Sequence, residues 1–571
     1  MTVLDWLVIV FVLGGIVVYG LYKSRTAKTL DGYFLSNRSM PWYLILLSIM
    51  GTQASAITFL SGPGQAFSDG MRFIQYYFGL PLAMVVICIT FVPIFSKLKV
   101  ITAYEFLETR FNRKTRLFTS SLFLLQRGLS TGISIYAPAL ILSSLFGWDI
   151  LLTNIILGGL LIIYTVRGGA KAVAYTQTLQ IIIIFIAMGL AGYTIVHLLP
   201  SNMHLKDVFS VSGQSGKLNI ITGTKAGEFS WTDKYNIWSG LIGGFFLSLS
   251  YFGTDQSQVG RYLTARSERE SKLGLIMNGL VKVPMQFFIL LIGLFVFCFY
   301  QFEKTPLSFN ERAVRDVRNS QYYTSYEKLE KQNDSVHLLR KHLVTQLLNR
   351  DELPTVVMKD SLVALNGKID SLRKQFKVLA KASSNAETND TNYVFLGFVK
   401  NHLPSGLKGL LIAIIFLAAW GSIAASLNAL SASTVCDFHH QQLRSEDELY
   451  KYRLSKWYTL GWGVFSIVAA QFSSHLGTSL IEAVNVLGSL FYGVILGIFL
   501  VALYMKKVKA GSVLIAAVVV EICILLIFLN RQFFHFAFLP NIEFLWLNAV
   551  GALGVMGLAG GIEGVRKRKS G

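Results

Sequence analysis

The residues best placed to do chemistry in this chain are small and oxygen-bearing, and they sit where only hydrocarbon is expected. Gly421-Ser422-Ile423-Ala424-Ala425-Ser426-Leu427-Asn428 lies inside an apolar run at 410–434. Hydroxyls at helical spacing gain nothing from lipid, so they imply an interior path or site. A second such stretch, Met50-Gly51-Thr52-Gln53-Ala54-Ser55-Ala56, occupies the centre of the apolar segment 41–63, which ends in Ser61-Gly62-Pro63-Gly64. Polar and small residues weaken a helix there. Unwound backbone at membrane depth is tolerated only where it lines protein or a cavity, and its freed carbonyls suit a hard cation. The other use of the small-residue surface at 421–428 is close helix packing.

Two cations accompany these oxygens. Arg127 falls near the middle of the apolar segment 115–144, where a charge costs about 3 kcal/mol even on the lenient insertion scale. It needs a partner: a structural carboxylate, a backbone carbonyl, or an anionic substrate gripped by the planar guanidinium in two hydrogen bonds. Gln126, Ser130 and Ser134 extend it into a polar stripe. Lys282, in Asn278-Gly279-Leu280-Val281-Lys282-Val283-Pro284, is the second; its other use is snorkelling or helix orientation. Carboxylates are fewer. Asp255, Asp437 and Glu482 fall near segment ends and Glu521 in a peripheral segment, none by the broken helix, so sodium is favoured over a proton as driving ion. No Gly-rich phosphate loop, His/Cys ligand cluster or nucleophile constellation is present, and adjacent His439 and His440 project in different directions on a helix. Nothing here points to an enzyme. Cys88, Cys298, Cys436 and Cys523 fall in or beside apolar segments and read as small buried residues rather than a disulfide framework.

The elements that must position these groups are membrane helices. Of 571 residues 53% are hydrophobic and only 15% charged, more apolar than a soluble chain needs. A span takes about 20 mostly apolar residues. Thirteen segments qualify, at 2–22, 41–63, 75–97, 115–144, 148–166, 173–197, 235–257, 270–302, 404–434, 454–473, 479–504, 510–530 and 540–563. The first is too long for a signal-peptide core and lacks a cleavage site, so it is a retained span. Basic residues follow the odd-numbered spans, among them Lys23, Arg25 and Lys28, then Lys97 and Lys99, Arg167, Arg261 and Arg266, Arg444, Lys506, and Arg566 to Lys569. This places the N-terminus outside and the C-terminus in the cytoplasm of a cell-membrane protein. The net charge of +20 then faces anionic lipid, with no call for nucleic acid.

Residues 303–395 break the pattern with a polar composition, dividing the chain into 1–302 with spans one to eight, a soluble outer insertion, and 396–571 with spans nine to thirteen. Leu362, Leu365, Ile369, Leu372, Phe376 and Leu379 alternate by three and four, and Val336, Leu339, Leu343 and Leu347 form a shorter stripe before a break at Pro354. The pattern predicts an antiparallel helical hairpin that either covers its own seam or docks another envelope protein. Asn389-Asp390-Thr391 matches a glycosylation sequon, which has meaning only in a secretory-pathway eukaryote.

Five stretches in order resemble the sodium/solute symporter family: Asp31-Gly-Tyr-Phe-Leu-Ser-Asn-Arg38, Thr102-Ala-Tyr-Glu-Phe-Leu-Glu-Thr-Arg-Phe111, Arg167-Gly-Gly-Ala-Lys-Ala-Val173, Gly253-Thr-Asp-Gln-Ser-Gln-Val-Gly-Arg-Tyr-Leu263 and the serine-rich ninth span. The family carries sugars, proline, iodide, vitamins and sialic acid with sodium. The resemblance implies an all-α, LeuT-type core of two inverted five-helix repeats, spans two to six and seven to eleven, with the site at mid-membrane around broken helices. It also implies a sodium ion held by carbonyls of Gly51 and Ala54, the carbonyl of Ala418, and hydroxyls at 421 and 422. Ser422 keeps its hydroxyl; Gly421 departs from the pattern. Gln177, Ala424 and Ala425 stand where relatives with a second sodium site carry an aspartate and hydroxyls, so a second site of that type is not expected. Lys282 and Tyr251 match a sugar-contacting lysine and an aromatic gate in galactose-type relatives, whereas Thr58, Tyr77, Leu80 and Ser248 do not match the remaining sugar contacts. The expectation is therefore a sodium-driven symporter importing a small organic solute, preferably a carboxylate, in a pocket bounded by Thr58, Arg127, Ser248, Tyr251 and Lys282. A sodium/sugar symporter is the alternative, and a transporter-like sensor a more distant one.

Overall fold

The computed structural model describes residues 1–23, 29–201, 203–224, 229–348, 356–383, 389–439, 448–473, 479–536 and 539–570. Pro354, His440, Arg25, Lys28 and Arg444 lie outside the described residues. Among the described residues all regular elements are helical, with one isolated bridge between Met40 and Ala265. In chain order the membrane-related helices are α1 (Val3–Lys23), α2 (Trp42–Gln53), α3 (Ala56–Asp69), α4 (Leu80–Leu98), α5 (Arg113–Phe146), α6 (Ile150–His197), α7 (Gly244–Gly253), α8 (Gln256–Tyr262) and α9 (Glu268–Phe302). The insertion contributes α10 (Glu311–Arg318), α11 (Tyr323–Leu348), α12 (Val356–Ser383) and α13 (Thr391–His402). Then come α14 (Leu407–Ser433), α15 (Glu448–Gln471), α16 (Leu480–Tyr504), α17 (Ala510–Leu529) and α18 (Phe544–Ser570).

Among the described residues eight segments are long and apolar enough to cross a membrane, with Trp42–Gln53, Ile150–Val166 and Ser239–Gly253 as shorter apolar helices. The protein is multi-pass. The elements that fall short have a physical reason: α2 and α7 are cut by breaks, and α5 carries Arg127, Gln126 and a ladder of hydroxyls. Segments 148–166 and 173–197 are two helices that follow each other directly within α6, divided where Gly169 leaves the helical region at φ 62° and ψ 174°, a conformation glycine adopts without strain.

α14 lies at the centre, with 89% of its most apolar window buried. It packs against α1, α2, α3, α5, α6 and α15, which is why it is apolar or small on every face. Two helix pairs are interrupted beside it. α2 ends at Gln53, Ala54 leaves the helical region at φ −82° and ψ 81°, and α3 starts at Ala56. α7 ends at Gly253 and α8 starts at Gln256, with Asp255 capping it by accepting from Ser257 N–H at 2.8 Å.

Three sequence expectations change. Cys523 is exposed on α17, unlike Cys88, Cys298 and Cys436. Arg261, counted above among loop residues, is buried in α8 with Nε and Nη1 lacking an acceptor. In the insertion, α11 and α12 pack together and Ile369, Leu372 and Phe376 are buried as expected, but Leu339 is 60% exposed. The buried face of α11 is Tyr326, Leu329, Asn333, Val336, Arg340 and Val344. Two of those six are polar, so the apolar stripe finds Val336 and the partly buried Leu343 and Leu347 but misses Asn333 and Arg340. Nor is the seam closed on itself: Asn333 Nδ2 donates to the Thr305 carbonyl at 2.8 Å, and Val344 and Leu362 join the membrane core.

Candidate ion and solute site

The break between α2 and α3 frees particular carbonyls. In an unbroken helix the Ser55 N–H would bond Gly51 and the Thr58 N–H would bond Ala54. Instead Ser55 N–H donates to the Gln53 carbonyl at 3.1 Å and Thr58 N–H to the Ser55 carbonyl at 2.9 Å. The carbonyls of Gly51 and Ala54 thereby lose their helical donors. Across from them on α14, Ser422 Oγ donates to Ala418 and Ala419 carbonyls at 3.0 and 3.1 Å. The Gly421 carbonyl accepts from Gln177 Nε2 at 2.9 Å, and that amide also bonds Thr52 Oγ1 at 3.1 Å and receives Ser48 Oγ at 2.7 Å. Gln177 thus ties α2 to α14. The free carbonyls and one rotatable hydroxyl are hard oxygen donors without net charge, a set that fits a monovalent cation.

Beside the break is a cavity of about 110 Å³. Its wall includes Thr52, Gln53 and Ser55 from the break, Ser422 and Ser426 from α14, and Asn485, Gly488 and Tyr492 from α16. Four of the five expected solute residues, Thr58, Arg127, Ser248 and Tyr251, line it. Lys282 does not. It is 1% exposed and lies behind the cavity wall, its Nζ 5.6 Å from the centre of the Tyr77 ring.

Arg127 is held by a group that the sequence placed elsewhere. Its Nη2 donates to the Asp255 carboxylate and, at 2.7 Å, to Tyr492 Oη, which donates in turn to Asp255 at 2.7 Å. Asp255 therefore lies directly behind the cavity wall, paired with two of its residues, because α7 breaks at Thr254 and turns it inward. Arg127 Nε has no acceptor, and its guanidinium lies 5.4 Å from the Tyr251 ring centre. Gln258 Nε2 fixes the Tyr251 hydroxyl at 2.6 Å. Sequence reasoning missed the contribution of α16. Asn485 and Tyr492, seven residues apart with Gly488 between them, share one face of an otherwise apolar helix, and that spacing was the available signal. Asn485 Oδ1 accepts from Tyr76 Oη at 3.0 Å.

Residues 33–320 and 373–519 match the profile of the sodium:solute symporter family. The chain belongs to that family. The symporter is 26% identical over 519 residues to the sodium/sialic acid symporter NanT of Aliivibrio fischeri, covering 90% of this chain and 86% of that one. It is 26% identical over 488 residues to the sodium-coupled monocarboxylate transporter 1 of Mus musculus, covering 84% and 65%. With the human sodium/iodide cotransporter it shares 25% over 491 residues, covering 85% and 63%. Its fold matches a substrate-bound, outward-open Na+-coupled sialic acid symporter with a TM-score of 0.74 at 24% identity, over 99% of this chain and 98% of that one. The symporter is thus a LeuT-like, sodium-coupled carrier of small organic solutes and not an enzyme. Residues 321–372 stand outside the family match.

Proposed function

We propose that this symporter imports an anionic organic solute, a carboxylate, with sodium bound between the α2/α3 break and α14. The observation that carries this is Arg127 on the wall of the cavity that also contains the break. Asp255 and Tyr492 engage its Nη2 and its Nε has no acceptor, so the guanidinium keeps donor capacity for a carboxylate, and a planar fork is the geometry for that anion. The solutes for which its relatives are named point the same way: sialic acid, iodide and monocarboxylates are acids or anions. Ser248, Thr58 and the Tyr251 ring complete the pocket. The sugar reading loses Lys282, which lies outside the cavity, and retains Tyr251 alone.

Gly51, Ala54, Ala418 and Ser422 are the proposed sodium ligands, with the Gly421 position lacking a hydroxyl. Sodium bridging the break to α14 completes the wall beside Ser55 and Ser422, so solute binds better with sodium present. Coupling is this differential affinity in the two states. Thirteen spans, of which two to six and seven to eleven form two inverted repeats with the first helix of each broken at 54–55 and 254–255, an N-terminus outside and an outer helical hairpin complete the proposed architecture. Replacing Arg127 tests the substrate: Arg127→Lys should weaken carboxylate uptake markedly, and Arg127→Gln should abolish preference for an anion over its neutral analogue, with sodium affinity nearly unchanged. Uptake of a neutral sugar with Arg127 dispensable would move the sugar reading ahead.

A further inference from the structure

A second cavity, of about 390 Å³, lies where the insertion meets α3, α9 and α16. It is stacked on the central cavity along the same two helices. On α3, Thr58 lines the first and Gln65 the second; on α16, Ile481 lines the first and Glu482 the second. A thin polar layer separates them. Asn392 Oδ1 accepts from Ser61 Oγ at 2.8 Å and from Leu480 N–H at 3.2 Å, and Ser479 Oγ donates to Gln65 Oε1 at 3.1 Å.

Five cations line this second space: Lys217, Arg340, Arg373, Lys374 and Lys377. Of its four carboxylates, Asp390 is held by Arg373 at 2.8 Å and Lys377 at 3.8 Å, and Glu482 by Lys234 at 2.6 Å. Asp69 accepts from Gln65 Nε2 at 2.5 Å, and both Asp69 and Asp370 face solvent, where their charge is screened. Lys217, Arg340 and Lys374 have no ion pair with a carboxylate among the described residues. Arg340 is 2% exposed. Its Nη2 donates to the Tyr300 carbonyl at 2.5 Å and Thr305 Oγ1 at 3.0 Å, its Nη1 to Asn366 at 3.2 Å, and its Nε to nothing. Burial pushes this guanidinium down to about 10 against the opposing pull of Asp370, and burial also lowers Lys217. Both charges are held with too little counter-charge.

We propose that the second cavity is an external binding site for carboxylate solutes, in which Lys217, Arg340 and Lys374 gather the anion before it passes the Asn392 layer. The proposal rests on the anionic reading of the central site. Arg340, Asn366 and Asp370 fall in 321–372, the stretch outside the family match, whereas Lys217 and Lys374 fall within it, so the site joins the insertion to the shared scaffold. Its cations raise the local concentration of an anion and speed its capture, an effect that ionic strength suppresses.

Lys374 is exposed, so Lys374→Glu tests the charge with little risk to folding; Lys217, whose Nζ donates to the Ser68 carbonyl at 2.5 Å, is tested by Lys217→Gln with its thermal unfolding midpoint measured alongside. Initial rates of sodium-driven uptake into proteoliposomes would be measured with labelled pyruvate and labelled sialic acid at low and high salt. At low salt the KM of the transported anion should rise roughly 3- to 10-fold, with Vmax and sodium half-saturation unchanged. The difference should close near 1 M salt, where the Debye length falls to about 3 Å. Wild-type uptake with KM unmoved in both variants overturns the external site alone. A fall in Vmax at constant KM does the same, since the cations would then be structural. If the wild type transports neither anion, this proposal falls together with the anionic reading.

Discussion

Arg127 shows how a residue's neighbours decide its meaning. Its cost at mid-membrane was legible in the sequence, and so was its need for a partner, but Asp255 was not identifiable because hydropathy placed it at a span end. Only the break after Gly253 turns that carboxylate inward. Removing one member of a buried pair leaves the other charge uncompensated, at a cost of about 3–5 kcal/mol, so Asp255→Asn should lower the thermal unfolding midpoint of the purified protein more than Arg127→Gln/Asp255→Asn together. Equal midpoints would show that the pair is not coupled. Ser422→Ala should raise the sodium concentration for half-maximal uptake severalfold, because Ser422 is the hydroxyl facing the break beside the bare Gly421. An unmoved sodium curve would misplace the ion. Restoring a hydroxyl at 421 is not simple: a Cβ there would stand 2.5 Å from Gln180 Oε1 and 3.2 Å from Gln177 Cγ. Gly421→Ser should therefore weaken sodium dependence, and Gly421→Ser/Gln180→Ala should recover it. Tighter sodium binding in the single variant would mean that Gln180 yields freely.

At the scale of elements, the break in the second span was readable because Gly51, Gln53 and Ser55 sit together in hydrocarbon, and the match to the carbonyls that lose their donors is close. The insertion was less legible. Its α12 stripe was found, but α11 was read from its apolar residues while the structure also buries Arg340, which grips the end of α9, and Asn333, which bonds the Thr305 carbonyl just beyond it. Asp390 anchors α12 to α13: it pairs with Arg373 and Lys377 and accepts from Phe309 N–H at 3.0 Å. Burial raises this carboxyl, yet Arg373, Lys377 and the hydrogen bonds outweigh it and hold the group below its ordinary 3.8. A depressed folded value means that the stabilisation is present above 3.8 and lost as pH falls through the folded value. Pepsin nicking of the insertion should thus be slow near about pH 5 and accelerate below 3.8, whereas Asp390→Asn should be nicked already near about pH 5. A profile shared by both proteins would remove Asp390 as the anchor.

For the whole molecule, class and family were open to sequence because apolar composition, span rhythm and five ordered motifs are properties of the chain itself. The solute was not, because the cavity is assembled from α3, α5, α7, α14 and α16, and no motif contains it. Lys282 illustrates the limit: it matched a pattern in sequence and lies behind Tyr77 in space. At this scale the decisive property is the coupling of an anion to sodium. Purified protein in liposomes, supplied with labelled pyruvate, sialic acid and galactose with and without an inward sodium gradient, measures that coupling directly. Accumulation of a carboxylate that requires the sodium gradient, and that Arg127→Gln removes, is the predicted result. Sodium-driven accumulation of galactose alone, or carboxylate uptake indifferent to sodium, would contradict it.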